Sequence, residues 1–194
     1  MKIYSLKKHK LKEVNSSQFK LEKDIQSLVE KNLDELFGFD LIQSEFVLGG
    51  FRLDSLCYDK SNNSVVIIEY KKDKSYSVID QGYSYLSMML NHKSDFILEY
   101  NENTSSNLKR GDVDWGSSKV IFISPSFNTY QKNSVNFKDV PFELWEIKRF
   151  SNNTIGLDQH ISTSKESIQK IDSSKDSVIR KVGKEVKVYD ENDL

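Results

Sequence analysis

Apolar residues in this chain come in short blocks, and the densest is Val65-Val66-Ile67-Ile68, followed at once by Glu69-Tyr70-Lys71. Four consecutive aliphatic residues, two of them β-branched valines and two isoleucines, read as a central strand, Val65–Lys72, covered on both faces. Upstream, Leu41–Leu48 and Phe51–Tyr58 have strand character, with Gly49-Gly50 as a tight turn between them and residues 59–63 as the turn into the central strand. Phe19–Phe37 has helical spacing, with Leu21, Ile25, Leu28, Leu33 and Leu36 as the inward stripe and Asn15-Ser16-Ser17 as candidate caps. Ahead of it, residues 2–6 and 10–14 form a small hairpin around Lys7-Lys8-His9.

After the central strand, Ser75 or Ser77 caps a helix reaching Leu90 or Asn91, with Val78, Gln81, Tyr85 and Met88 or Met89 on one face. Residues 96–100 fit a helix and a strand equally, and 101–116 read as a polar loop with Trp115 packed back on the body. Lys119–Ser124 is a further buried strand ended by Pro125, Ser126–Phe137 has weak helical spacing, and Pro141–Phe150 alternates as a final strand. Strands separated by helices predict an α/β fold with a central mixed sheet flanked by helices. From Ser151 the composition turns to Ser, Lys, Asp and Asn. Residues 1–150 are therefore expected to be the folded domain, and 151–194 a polar linker, a flexible tail or the start of a second domain.

Composition narrows the classes of function. The chain has 194 residues, 37% hydrophobic, with a net charge of −1, so bulk charge does not drive it onto nucleic acid and any such contact must be local. Local clusters exist: Lys2, Lys7, Lys8, Lys10 and Lys12 near the N-terminus, and Lys71, Lys72 and Lys74 after the central strand. The single Cys57 excludes an internal disulfide and reads as a core residue, and His9, His92 and His160 are too scattered for a histidine metal cluster. No apolar run is long enough to span a membrane and no signal peptide opens the chain, which predicts a cytoplasmic protein.

The candidate chemistry lies at the end of the central strand. A period of two puts Val65, Ile67, Glu69 and Lys71 on one face, so a core strand ends with a carboxylate and an ammonium along its buried side. Buried charge requires a partner, a metal or a substrate. The preceding hairpin places Asp54 beside Glu69 across the ladder. Asp54, Glu69-Tyr70-Lys71, and Gln81 with Tyr85 on the next helix resemble the PD-(D/E)xK nuclease superfamily, most of all its NucS-type endonuclease branch, over roughly residues 19–150. The resemblance implies a restriction-endonuclease-like α/β/α core with a small N-terminal hairpin.

It also implies a Mg2+-dependent endonuclease, with Mn2+ able to substitute, acting on nucleic acid, DNA foremost, in repair or defence. Asp54 and Glu69 would supply carboxylate ligands and Tyr70 its carbonyl. Glu22 matches the acidic residue that the related nucleases carry on their first helix. It also falls on the apolar side of the helix, whereas Glu30 falls on the wet side with Lys23 and Gln26. Magnesium takes such oxygen donors, polarises a phosphate and lowers the pKa of bound water. Lys71 would orient or deprotonate that water or steady the phosphate, with Gln81 positioning it. Arg52, Lys72, Lys74 and Tyr85 are the expected nucleic-acid contacts. The alternative is a non-catalytic nucleic-acid-binding or assembly module on the same fold. A homodimer or larger complex through the C-terminal tail is a further expectation.

Overall fold

The computed structural model describes residues 1–72 and 78–167. Lys74, the caps Ser75 and Ser77, and most of the expected tail lie outside the described residues.

Three strands form the antiparallel half of the sheet: β4 (Phe39–Leu48), β5 (Phe51–Asp59) and β6 (Ser64–Tyr70), preceded in the chain by β1 (Tyr4–Lys7), β2 (Lys10–Glu13) and β3 (Ser16–Ser17). The β4–β5 turn uses Gly49 and Gly50 with φ of 57° and 81°, the left-handed region that glycine enters freely. The β5–β6 turn is an Asx turn in which the Asp59 carboxylate accepts the Ser61 and Asn62 N–H groups. Every residue of β6 is buried, as its unbroken apolar run requires. The chain then crosses over twice, giving parallel β7 (Lys119–Ser124) and β8 (Phe142–Phe150), so the sheet is mixed, in the order β3-β8-β7-β6-β5-β4.

Phe150 does not end the sheet. A further strand, β9 (Ile155–Gln159), pairs antiparallel with β8, making seven strands. Asn15-Ser16-Ser17 does not cap the first helix either: Ser16 and Ser17 pair with Phe150 and Arg149. Trp145 and Arg149 both pair with β9, Trp145 also pairs with β7, and Arg149 also pairs with β3. Since a strand has two edges, β3 lies on the β7 edge of β8, beyond the end of β7.

Helices cover both faces. The expected single helix over 19–37 is two, α1 (Glu22–Glu30) and α2 (Leu33–Phe37), broken where Asn32 turns its side chain back to the Leu28 carbonyl. Asp24 accepts the Leu21 N–H at the start of α1. These helices seal the face carrying Cys57, Val66, Ile68, Ile121, Ile123 and Ile147. Burial pushes the Cys57 thiol up, consistent with a core role. The opposite face, with Leu56, Ile67, Phe122 and Leu144, is covered by α3 (Val78–Asn91) and α4 (Lys93–Thr104). The ambiguous stretch around Phe96 is thus helix, running into the expected loop. Trp115 packs against this core, and α5 (Thr129–Ser134) is the short product of the weak helical spacing. No helix among the described residues is long and apolar enough to cross a membrane.

The approach of α3 to the sheet depends on Gly82. A Cβ there would meet the Phe142 ring at 2.9 Å and Phe122 at 3.1 Å, both buried side chains. Gly82→Ala should therefore destabilise by about 1–2 kcal/mol in spite of its better helix propensity, and Gly82→Leu by more. Urea denaturation at constant m-value would measure it, and a stabilised Gly82→Ala protein would show that α3 can lift off freely.

Candidate active site

β5 and β6 pair in register from Asp59↔Ser64 to Ser55↔Ile68, and continuing that register sets Asp54 opposite Glu69. There the two strands part. The Tyr70 N–H, which a continuing ladder would give to a backbone carbonyl, donates instead to Asp54 Oδ2 at 2.9 Å. Two β5 carbonyls near this point also accept from side chains: Gln26 Nε2 donates to the Asp54 carbonyl at 2.8 Å, and the Tyr85 hydroxyl shares its one proton between the Arg52 carbonyl, at 3.1 Å, and Glu69. Glu45, facing this point from β4, has φ of 57°, unusual for a non-glycine residue inside a strand. The separation places the Asp54 carboxylate at the split, with no hydrogen-bond partner for Oδ1 among the described residues.

Glu69 is 3% exposed and fully engaged. Its Oε1 accepts from Lys71 Nζ and from Gln81 Nε2, each at 2.7 Å, and its Oε2 accepts from the Tyr85 hydroxyl at 3.0 Å. Gln81 and Tyr85 are four apart on α3, so one helix face delivers both, and Gln81 also donates to Tyr85 at 2.6 Å. Buried charge held by three donors is rigid and oriented. Burial, and then the Glu69 charge, push Asp54 up to about 6, against the opposing pull of the Tyr70 N–H and Lys71. The same two causes raise the Tyr85 phenol, keeping it a hydrogen-bond donor.

The structure brings together Asp54, Glu69, Tyr70, Lys71, Gln81 and Tyr85. Other expected residues stand apart. Glu22 is the first residue of α1 and exposed, and its carboxylate accepts the Lys72 N–H at 3.0 Å. Glu30 is not on the wet side: it faces the sheet, taking Gln26 Nε2 (2.9 Å), Ser44 Oγ (2.9 Å) and Ser55 Oγ (2.7 Å). The buried stripe of α1 runs through Ile25, Gln26 and Val29, and Glu30 lies one turn beyond Gln26. Arg52 is exposed and paired with Glu45, which Lys23 also holds at 2.9 Å, and these contacts keep Glu45 ionised below the usual carboxylate range.

Gln26 and Glu30 are the residues the sequence reading missed. Their signal was a polar pair at helical spacing opposite two small polar strand residues, Ser44 and Ser55. Tyr85, expected mainly to pack and to touch nucleic acid, is also a direct partner of Glu69.

The donor set suits a divalent cation. Two carboxylates sit within each other's field, Asp54 pushed toward neutrality by burial and by the Glu69 charge, and hard oxygen donors of this kind bind Mg2+ or Mn2+. No group of three or more His, Cys, Asp or Glu side chains among the described residues converges on a metal position.

No protein-family model matches the chain. An uncharacterised protein of Haemophilus influenzae is 48% identical over 194 residues, spanning 100% of this chain and 64% of that protein, so the chain accounts for less than two thirds of its relative. Solved structures give partial likenesses at low identity. EndoMS in complex with double-stranded DNA shares 15% identity at a TM-score of 0.39, over 67% of this chain and 47% of that one. A repair endonuclease from Pyrococcus abyssi shares 18% at 0.36, over 66% and 48%. SfsA of Pyrococcus furiosus, in complex with Ca2+, shares 16% at 0.36, over 71% and 61%.

Proposed function

We propose that this protein is a metal-dependent nuclease that hydrolyses phosphodiester bonds, with DNA as substrate. The observation that carries this reading is the split between β5 and β6, where Asp54 and the fully hydrogen-bonded Glu69 meet beside Lys71. Asp54 and Glu69 would hold Mg2+, with the Tyr70 carbonyl as a further donor. The bound ion would supply Lewis acidity and a nucleophilic water at neutral pH.

The chain's own groups do the rest. Gln81 and Tyr85 fix the Glu69 carboxylate so that it need not reorganise during reaction. Lys71, anchored on Glu69 Oε1 with its side chain 17% exposed, presents an ammonium at the mouth of the site, where it can hold the attacking water or the charge growing on the phosphate. Tyr70, on the opposite face, stabilises the strand end through its hydroxyl contact with Ser55 at 3.1 Å.

Titration with Mn2+ by calorimetry should give binding that Asp54→Ala and Glu69→Ala each abolish. Mg2+- or Mn2+-dependent cleavage should then appear across a panel of duplex and single-stranded DNA and RNA. Unchanged metal affinity in both variants would make the two acids structural and leave a non-catalytic binding module.

A further inference from the structure

Past the ends of β6 and β7 the sheet edge opens into a groove, because Pro125 stops β7 while β3 pairs with β8 further on. Ser16, Ser17, Lys72, Pro125, Lys148 and Arg149 line it. A second groove shares Gln18, Phe19 and Arg149 and adds Lys20. A third lies between Asn15, Ser151 and Asn152 and the lysines of the β1–β2 ribbon, Lys7, Lys8, Lys10 and Lys12. The Ser151 N–H donates to the Asn15 carbonyl at 2.9 Å, fastening the ribbon's base to the end of β8 beside Arg149. The three grooves are neighbours along one edge, and the first begins at the residue next to Lys71.

That edge is cationic in a chain of net charge −1. The acids lining the three grooves are Asp24 and Glu13, against eight basic residues. Lys148 is paired with Glu146, but the side-chain charges of the four ribbon lysines, Lys20, Lys72 and Arg149 make no ion pair with an acid among the described residues.

The ribbon itself is poorly built for stability. Lys7 and Lys10 face each other across the ladder, as do Leu6 and Leu11, which are 67% and 68% exposed. Its turn holds Lys8 and His9 at φ of 45° and 61°, where glycine or asparagine ordinarily serves. Alternation collects Ser5, Lys7, Lys10 and Lys12 on one face. These features suit a partner with a dense line of negative charge.

We propose that this edge is a docking track for duplex DNA. The ribbon's lysine face lies against the duplex, a two-stranded ribbon being an element that the major groove of B-DNA, about 12 Å wide, admits. Arg149 and Lys72 take phosphates and lead the backbone toward Asp54 and Glu69. The destination rests on the nuclease reading, whereas the binding does not.

The test uses the full chain in EDTA, with anisotropy of a labelled DNA duplex followed against KCl concentration. Each lost phosphate contact lowers the slope of log affinity on log salt by about 0.9. Replacing Lys7, Lys8, Lys10 and Lys12 together by Ser should lower it by about two to four units, with an unchanged urea midpoint because the ribbon stands outside the seven-stranded sheet. Arg149→Ala, a single exposed position, should lower it by about one and gives a second reading should the ribbon variant fold poorly. Lys109→Ser with Arg110→Ser, which line none of these grooves, should keep the wild-type slope. Wild-type slopes in both the ribbon and Arg149 variants would overturn the proposal, as would tighter wild-type binding to single-stranded DNA or duplex RNA. Salt-dependent duplex binding through these residues without cleavage in Mg2+ or Mn2+ supports the track while refuting the nuclease reading.

Discussion

Lys71→Ala should lower the cleavage rate by about a hundredfold to a thousandfold while leaving DNA affinity largely intact, the cost expected for losing one preorganised group that acts on the transition state. Lys71 Nζ lies 2.7 Å from Glu69 and its side chain is mostly buried, so it is held for a short-range task rather than for general attraction of a polyanion. Lys72 is the internal control. Its N–H is taken by Glu22 and the residue lines the neighbouring groove, so Lys72→Ala should weaken binding and flatten its salt dependence by about one unit with little change in the rate of the bound complex. Single-turnover kinetics at saturating enzyme separate the two effects. Lys71→Ala also leaves Glu69 buried without its cation, which destabilises the apoprotein, so activity must be compared where urea denaturation shows both proteins folded. Equal losses confined to binding at the two lysines would remove Lys71 from the chemistry.

The half of the fold that carries this site was legible because its signals are local. Gly49-Gly50 can enter the left-handed region that the turn needs, and the aliphatic run of β6 belongs only in a covered strand. With both fixed, the register follows, and with it the meeting of Asp54 and Glu69. Gln81 and Tyr85 followed from helical spacing. What escaped depends on partners far away in sequence. Ile155–Gln159, with a glycine and two polar residues among five, is a strand because the open edge of β8 pairs with it. Ser16-Ser17 reads as a helix cap until β8, more than 130 residues on, takes its backbone groups. The helix around Phe96 buries only that residue fully, too narrow a stripe to identify from spacing. Glu30 looked solvated because a helical wheel assigns its wet side from apolar residues alone. Here the sheet offers Ser44 and Ser55, and a polar side chain can face the core when its hydrogen bonds wait there.

Replacing Asp54 by Asn should stabilise the metal-free protein at neutral pH, and the gain should vanish in acid. Burial and the Glu69 charge raise Asp54 from its ordinary 3.8 to about 6. Between those values the folded protein keeps a proton that the unfolded chain has released. The stabilisation linked to that proton is complete below about pH 4 and lost as pH rises through about 6. Above pH 7 the wild type without metal carries an ionised Asp54 beside the buried Glu69. Asparagine removes one charge and can still accept the Tyr70 N–H. Two pH units correspond to about 3 kcal/mol, reduced to about 1–2 kcal/mol because Asp54 is partly exposed. Urea denaturation in EDTA should show Asp54→Asn drawing ahead of wild type by that amount between about pH 3.5 and about pH 7.5, each protein serving as reference for carboxylates elsewhere. Added Mn2+ should reverse the order, since a cation bound only to the folded wild type stabilises it and the variant lacks a charged ligand. A stability difference that ignores pH would place Asp54 among ordinary solvated carboxylates. One that ignores Mn2+ would separate the raised carboxylate from any role in holding metal.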